Sequence, residues 1–206
     1  MITLHHLNQS RSKRIIWLLE ELSLDYRIHA YQRDAVTNLA PPELKEIHPL
    51  GKSPVIEDNG QVITESGAIT EYLIERHGLH LMPAKESASY AEYLQWLHFA
   101  ESSAMLPALL TLFVSKEPVN TEFLASYAGA ELTKVMSYFD DVLSDKTYLI
   151  DEQLSGADIM MSFIPEVLAM LQQLETYPNI KRYYQTLLTH PAFQKANELE
   201  KAHQTA

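Results

Sequence analysis

Ser53-Pro54-Val55-Ile56-Glu57-Asp58-Asn59-Gly60-Gln61-Val62-Ile63-Thr64-Glu65-Ser66 reads as a β-hairpin running into a helix. Asp58-Asn59-Gly60 stands between two β-branched runs, and Asn-Gly supplies the positive φ angles that a two-residue hairpin turn requires. Proline cannot donate to a ladder, so Pro54 marks a strand's first residue, an edge or a bulge. If its peptide bond is cis, the backbone that follows turns outward, and the Val55 N–H and C=O could pair with an extended, peptide-like ligand. Ser66 opens a helical pattern that Gly78 stops after His77.

Working outward, Ile2–Leu7 has the length of a strand, and Ile15, Ile16, Leu18, Leu19 and Leu22 repeat with helical spacing. Tyr26–Tyr31 alternates as a strand, and Pro41-Pro42-Glu43 opens a short helix that ends near His48-Pro49. The order is β-α-β-α-β-β-α, one mixed sheet with helices on its faces. Beyond Ser87 only helical patterns occur: Ser87–Leu112 with a kink or break expected at Pro107, Asn120–Leu143, Ser155–Leu171, Pro178–Thr189 and Pro191–Ala202. Ser155-Gly156-Ala157-Asp158 fits a capping box. Leu79–Glu86 is the natural linker, so residues 1–80 form an α/β domain and residues 87–206 an all-helical one.

Composition narrows the chemistry. The 206 residues are 46% hydrophobic and 21% charged, with 6 Gly and 10 Pro, which excludes disordered, collagen-like and low-complexity chains. There is no cysteine, hence no disulfide, no thiolate metal site and no cysteine nucleophile. Sixteen basic against 27 acidic residues give a net charge of −11, which argues against nucleic acid and anionic membranes as partners. No apolar run approaches the length of a membrane span and the N-terminus lacks a leader's pattern, so the cytosol is the default address. HExxH, GxSxG, GxxxxGK[ST] and GxGxxG are all missing. His5 and His6 adjoin in a strand and face opposite sides, so they cannot share a metal. His77 and His80 flank a helix stop, and the Tyr90, Tyr93, Trp96, Phe99 series reads as packing.

Three polar features remain. Asn8-Gln9-Ser10-Arg11-Ser12 joins the first strand to the first helix. A serine there serves equally as a plain cap or, with the helix N-terminus, as a donor to an arriving anion. Ser53-Pro54-Val55 offers backbone to a ligand or merely starts a strand. In Glu65-Ser66 the hydroxyl can cap the helix or hold a carboxylate, and the acid would complement an ammonium.

Together these residues resemble the glutathione S-transferase family along the whole chain. Ser10-Arg11-Ser12-Lys13-Arg14 before Trp17-Leu18-Leu19-Glu20, Tyr31-Gln32-Arg33-Asp34, Ala40-Pro41-Pro42-Glu43-Leu44-Lys45 and Ile47–Pro54 are similar to its serine-type bacterial and fungal branch, known from yeast and proteobacteria. The resemblance implies a thioredoxin-like N-terminal domain that binds glutathione, and a helical domain that adds a pocket for a small hydrophobic electrophile. It implies that Ser10 hydrogen-bonds the sulfur, with the family's serine standing four residues before the helical arginine, here Arg14; Ser12 and Asn8 are the competitors. It further implies that Val55, after a cis Pro54, meets the cysteinyl backbone, that Glu65 and Ser66 hold the γ-glutamyl end, and that Lys52 lies near the glycyl carboxylate. Ser102 and Met105 are the expected walls of the electrophile pocket, which should sit between the domains. No metal is implied. A homodimer is, with Ile69 and Leu73 expected to face the partner. The chemistry implied is conjugation, with peroxide reduction as a second outlet. The missing cysteine argues against dehydroascorbate reduction and deglutathionylation. The rival readings are a non-catalytic module of the same fold, serving as a partner domain in a larger assembly, and a protein that sequesters ligands.

Overall fold

The computed structural model describes residues 1–119 and 121–204. The expected start of a helix at Asn120 and the last two residues of the expected second domain lie outside the described residues. Four strands form one sheet in the order β2-β1-β3-β4: β1 (Ile2–Leu7), β2 (Tyr26–Tyr31), β3 (Val55–Asp58) and β4 (Gln61–Thr64). β1 and β2 run parallel, with Ile2 opposite Tyr26 and Leu7 opposite Tyr31. A parallel pair needs a crossover, which α1 (Ser12–Glu21) supplies. β3 lies antiparallel to both β1 and β4. Its turn closes as expected, with Asn59 at φ 49° and Gly60 at φ 80°. The elements α2 (Leu44–Ile47) and α3 (Ser66–His77) complete the β-α-β-α-β-β-α order.

The remaining helices are α4 (Tyr90–Phe99), α5 (Met105–Val114), α6 (Glu122–Val142), α7 (Gly156–Met161), α8 (Phe163–Met170), α9 (Pro178–Leu188) and α10 (Pro191–Gln204). Both prolines that were expected to begin the last two helices do so. Pro107 falls in the first turn of α5, and residues 100–104 just before it widen into a π turn. The proline lacks the N–H for Ser103 C=O, and its ring crowds that carbonyl, so the helix departs from α geometry there. The same physics divides the expected Ser155–Leu171 helix: Pro165 cannot bond back to Met161, and α7 stops where α8 begins, across Ser162. Although no unbroken apolar run exists, the helical stretch Tyr90–Val114 is long and apolar enough to cross a bilayer. It packs on α6 and α7 within the helical unit.

The chain forms two compact units, residues 1–79 with 188–206, and residues 80–187. The sequence alone carries the helical domain through to residue 206; in the structure α10 packs on α1 instead. The cause is α1 itself. Ile15, Ile16, Trp17, Leu18 and Leu19 are all fully buried, so the middle of this helix is apolar all round and needs cover on the side away from the sheet. α10 provides it, with Phe193 edge-on to Trp17 at a centroid distance of 4.8 Å. Ile69 and Leu73, expected on a partner-facing surface, are fully buried within the chain. Their packing is internal.

In the helical unit, Asp158 is wholly buried at the start of α7. Its Oδ2 accepts Ser155 N–H at 2.9 Å and Ser155 Oγ–H at 2.8 Å, which is the expected capping box. Its Oδ1 accepts Leu149 N–H at 2.9 Å and the Tyr183 hydroxyl at 3.0 Å. Burial pushes the carboxyl up to about 6 against these four donors. An unfolded aspartate titrates near 3.9, so Asp158's titration contributes about 3 kcal/mol that is fully present below that value and lost as pH rises through about 6. Asp158→Asn cannot titrate. Urea unfolding should show the stability gap between wild type and Asp158→Asn shrinking from pH 4.5 to pH 7. A gap that widens over this range would mean that the four donors outweigh burial.

Candidate functional site

The topology gathers three distant segments at one edge of the sheet. β1 runs toward this edge and ends at Leu7, three residues before Ser10. β3 runs the other way, so its first residue, Val55, lies opposite His5. β4 runs back again, and its last residue, Thr64, lies opposite Val55 and leads into Glu65-Ser66. Ser10, Pro54-Val55 and Glu65-Ser66 therefore converge with the N-termini of α1 and α3, whose partial positive charges favour an anion. Lys52 is exposed just before β3. Ser102 and Met105 belong to the other unit: Ser102 donates to His98 C=O at 3.0 Å, and Met105 is buried.

The Ser53–Pro54 peptide is cis. Ser53 replaces ladder bonds where the proline cannot make them, since its Oγ accepts Leu7 N–H at 3.1 Å and donates to His5 C=O at 2.8 Å. Glu65 stands at φ 67° as the residue before α3. A non-glycine residue in that region stores strain of about 1–3 kcal/mol, as ligand-gripping positions often do. Its side chain is exposed, while Ser66 is buried with Oγ 3.5 Å from Nη1 of the buried Arg14 on α1.

The Asn8-Gln9 loop is fixed from two sides. Arg33 N–H donates to Asn8 Oδ1 at 3.1 Å, and the Arg33 guanidinium donates to Asn8 C=O at 3.1 Å and Gln9 C=O at 3.0 Å. Glu200 of α10 accepts Gln9 N–H at 2.7 Å. This loop delivers Ser10, whose Oγ accepts Ser12 N–H at 3.2 Å and lies 2.8 Å from Ser12 Oγ. Ser10 is 8% exposed and Ser12 is not exposed at all. Ser12 Oγ lies 2.7 Å from His6 Nδ1 and 3.2 Å from Leu7 C=O, two possible acceptors for its one proton.

His5 and His6 do face opposite sides. His5 meets Tyr31 OH at 2.8 Å and Glu57 Oε1 at 2.7 Å, whereas His6 lies 3.0 Å from Glu200 Oε2. The sequence weighs His6 only as a metal ligand and gives Glu200 no role. A signal existed in the spacing Phe193, Ala196, Glu200, which sets one acid on the apolar face of α10.

Residues 1–75 match the family model described as glutathione S-transferase, N-terminal domain, and residues 102–191 match its C-terminal domain. Glutathione S-transferase 3 of Schizosaccharomyces pombe is 36% identical over 96% of this chain and 87% of its own length. Glutathione S-transferase 1 of Saccharomyces cerevisiae is 32% identical over 98% of this chain and 96% of its own. Among solved structures, a glutathione S-transferase from Actinobacillus pleuropneumoniae superposes with a TM-score of 0.89 at 40% identity, covering 98% of this chain and 93% of that one. With the sheet, the cis proline and the helical unit, these similarities make the chain a member of the glutathione S-transferase family.

Proposed function

We propose that this transferase activates the glutathione thiol at Ser10 and directs the thiolate at a small hydrophobic electrophile. The observation that carries the assignment is the contrast between two serines. Ser12 is sealed between His6 and Leu7, whereas Ser10 stands at the edge of the sheet with part of its surface open. Asn8, the third candidate, has its Oδ1 engaged by Arg33 N–H. A free thiol titrates near 8.5, so only a few per cent is thiolate at neutral pH. A hydroxyl donor and the α1 N-terminus both favour the charged form.

The rest of the site suits the tripeptide's shape. Val55, after the cis proline, offers backbone to the cysteinyl residue. Glu65 and Ser66 take the ammonium and carboxylate of the γ-glutamyl end, and Lys52 neutralises the glycyl carboxylate. Ser102 and Met105 stay as proposed walls for the electrophile. Peroxide reduction, a detoxifying role and a reducing, cytosolic setting are further parts of this reading; a chain without cysteine has no need of an oxidising compartment. Measured conjugation turnover separates it from a binding or sequestering module, for which retention on immobilised glutathione would be the same.

Ser10→Ala should lower kcat far more than it raises the KM for glutathione, because the hydrogen bond strengthens as the sulfur becomes charged. A bond to a charged group contributes roughly 1.5–3 kcal/mol, so a loss of about ten- to a hundredfold is expected. If Ser10→Ala binds glutathione with a wild-type thiolate titration while Ser12→Ala shifts it upward, the assignment passes to Ser12.

The homodimer implied by the family resemblance belongs to the same proposal, although Ile69 and Leu73 lend it no support. Sedimentation at micromolar concentration should give twice the chain mass, and a monomer there would remove it.

A further inference from the structure

Behind Ser10 runs a chain of short polar contacts that the thiolate reading leaves unused. Ser10 Oγ lies 2.8 Å from Ser12 Oγ, which lies 2.7 Å from His6 Nδ1. His6 Nε2 lies 3.0 Å from Glu200 Oε2. His6 and Ser12 are fully buried and Glu200 nearly so. The Nε2 and Oε2 atoms are not aligned as a linear hydrogen bond, and neither has another hydrogen-bond partner among the described residues. Each has the other as its close polar neighbour at 3.0 Å. A buried imidazole and carboxylate are costly as mere packing, so the arrangement calls for a use.

We propose that Ser12, His6 and Glu200 are positioning residues that draw the thiol proton of glutathione inward through Ser10. The proposal rests on the assignment of Ser10 above. The relay starts with His6 Nδ1 open to accept and the ring proton on Nε2, toward Glu200. Ser12 then donates to His6 Nδ1, Ser10 donates to Ser12, and the thiol donates to Ser10 Oγ. Activation moves three protons one place each: the thiol's to Ser10, Ser10's to Ser12, and Ser12's to Nδ1. No electron is exchanged and no bond to carbon changes. The thiolate is left at the mouth, and an imidazolium is left beside the Glu200 carboxylate.

Every hydroxyl has then reversed direction, so Ser10 ends by donating to the sulfur. An inward-pointing Ser10 hydroxyl could not do so. After the product leaves, the same hydroxyls in reverse hand the proton to water. Leu7 C=O is the competing acceptor for Ser12, at the longer distance of 3.2 Å.

The charges facing His6 come from several elements. α10 supplies Glu200 and His203, whose ring centroid is 6.4 Å from that of His6. Burial pushes the Glu200 carboxyl up, but His6, Gln9 N–H and Lys13 of α1 outweigh it and leave the group below its usual value. Arg33, beyond β2, also feels the Glu200 charge. His5 is turned away toward Glu57 and Tyr31.

Three variants interrupt the chain differently. His6→Asn keeps an oxygen that can accept from Ser12 but takes no proton. Glu200→Gln keeps an oxygen for Gln9 N–H but carries no charge. Ser12→Ala removes the middle link. Each is titrated by the thiolate absorbance of bound glutathione, and its kcat/KM with a chlorodinitrobenzene is followed against pH, with melting temperature as a check on folding. The thiolate midpoint should rise by about one unit and kcat/KM at pH 6.5 should fall about tenfold, the deficit closing by pH 9 with the KM for glutathione within about twofold.

A wild-type midpoint in the folded variants overturns the relay, and so does a deficit that is the same at every pH. Ser12→Ala alone decides between relay and no relay if the His6 and Glu200 variants fail to fold. Ser10→Ala separates the two claims. If it titrates as wild type, the Ser10 assignment itself falls; if it shifts while the other three do not, only the relay falls.

Discussion

The middle of helix α1 has no face to give to water, and much of the first unit is arranged around that constraint. Five consecutive residues, Ile15 to Leu19, go around its whole circumference and are fully buried. At roughly 1.5–3 kcal/mol for each large apolar side chain removed from water, leaving one side bare would cost a sizeable share of a domain's net stability of about 5–15 kcal/mol. The chain's last helix covers that side. Phe193, Ala196 and Glu200 recur at three- and four-residue spacing and so share one face of α10. Once Phe193 is set against Trp17, the position of Glu200 two turns later follows. Apolar packing at one end of α10 thus brings a carboxylate to His6 at the other.

The sheet imposes a second, purely topological condition. A ligand-binding edge needs several strand ends together, and here β1 and β4 end where β3 begins. The reversal between β1 and β3 is what places Pro54-Val55 beside the loop that carries Ser10. A wholly parallel sheet would have sent the start of β3 to the opposite edge. The cis proline and Ser53 close the end of β3 without a ladder donor, and Glu65 turns the chain at positive φ from β4 into α3.

How far the sequence discloses these features depends on how local their causes are. The Asn59-Gly60 turn, the Ser155–Asp158 capping box, the proline starts of α9 and α10 and the stop at Gly78 each arise within a few residues, and each is legible. The convergence of Ser10, Val55 and Glu65-Ser66 is legible only through the family resemblance, since no single segment announces it. Ile69 and Leu73 mislead because apolar residues on a helix look the same whether they face the chain's own core or a partner. The break at Ser162 follows the rule that places a π turn before Pro107, and Pro165 carried that signal unread. The contact between His6 and Glu200 spans nearly the whole chain. It could be seen only as an acid out of place on the apolar face of α10.

Charge explains why that acid stands where it does. The chain carries a net charge of −11, and a carboxylate placed directly against a thiolate would oppose its formation. With His6 and Ser12 interposed between it and Ser10, Glu200 faces an imidazole. At the strand ends the N-termini of α1 and α3 favour negative charge, and the exposed Lys52 precedes β3. His6 and Glu200 are both buried, so their interaction is little screened by water. An acidic protein can therefore hold an anionic ligand, provided that its nearest buried carboxylate is shielded by a group able to carry the opposite charge.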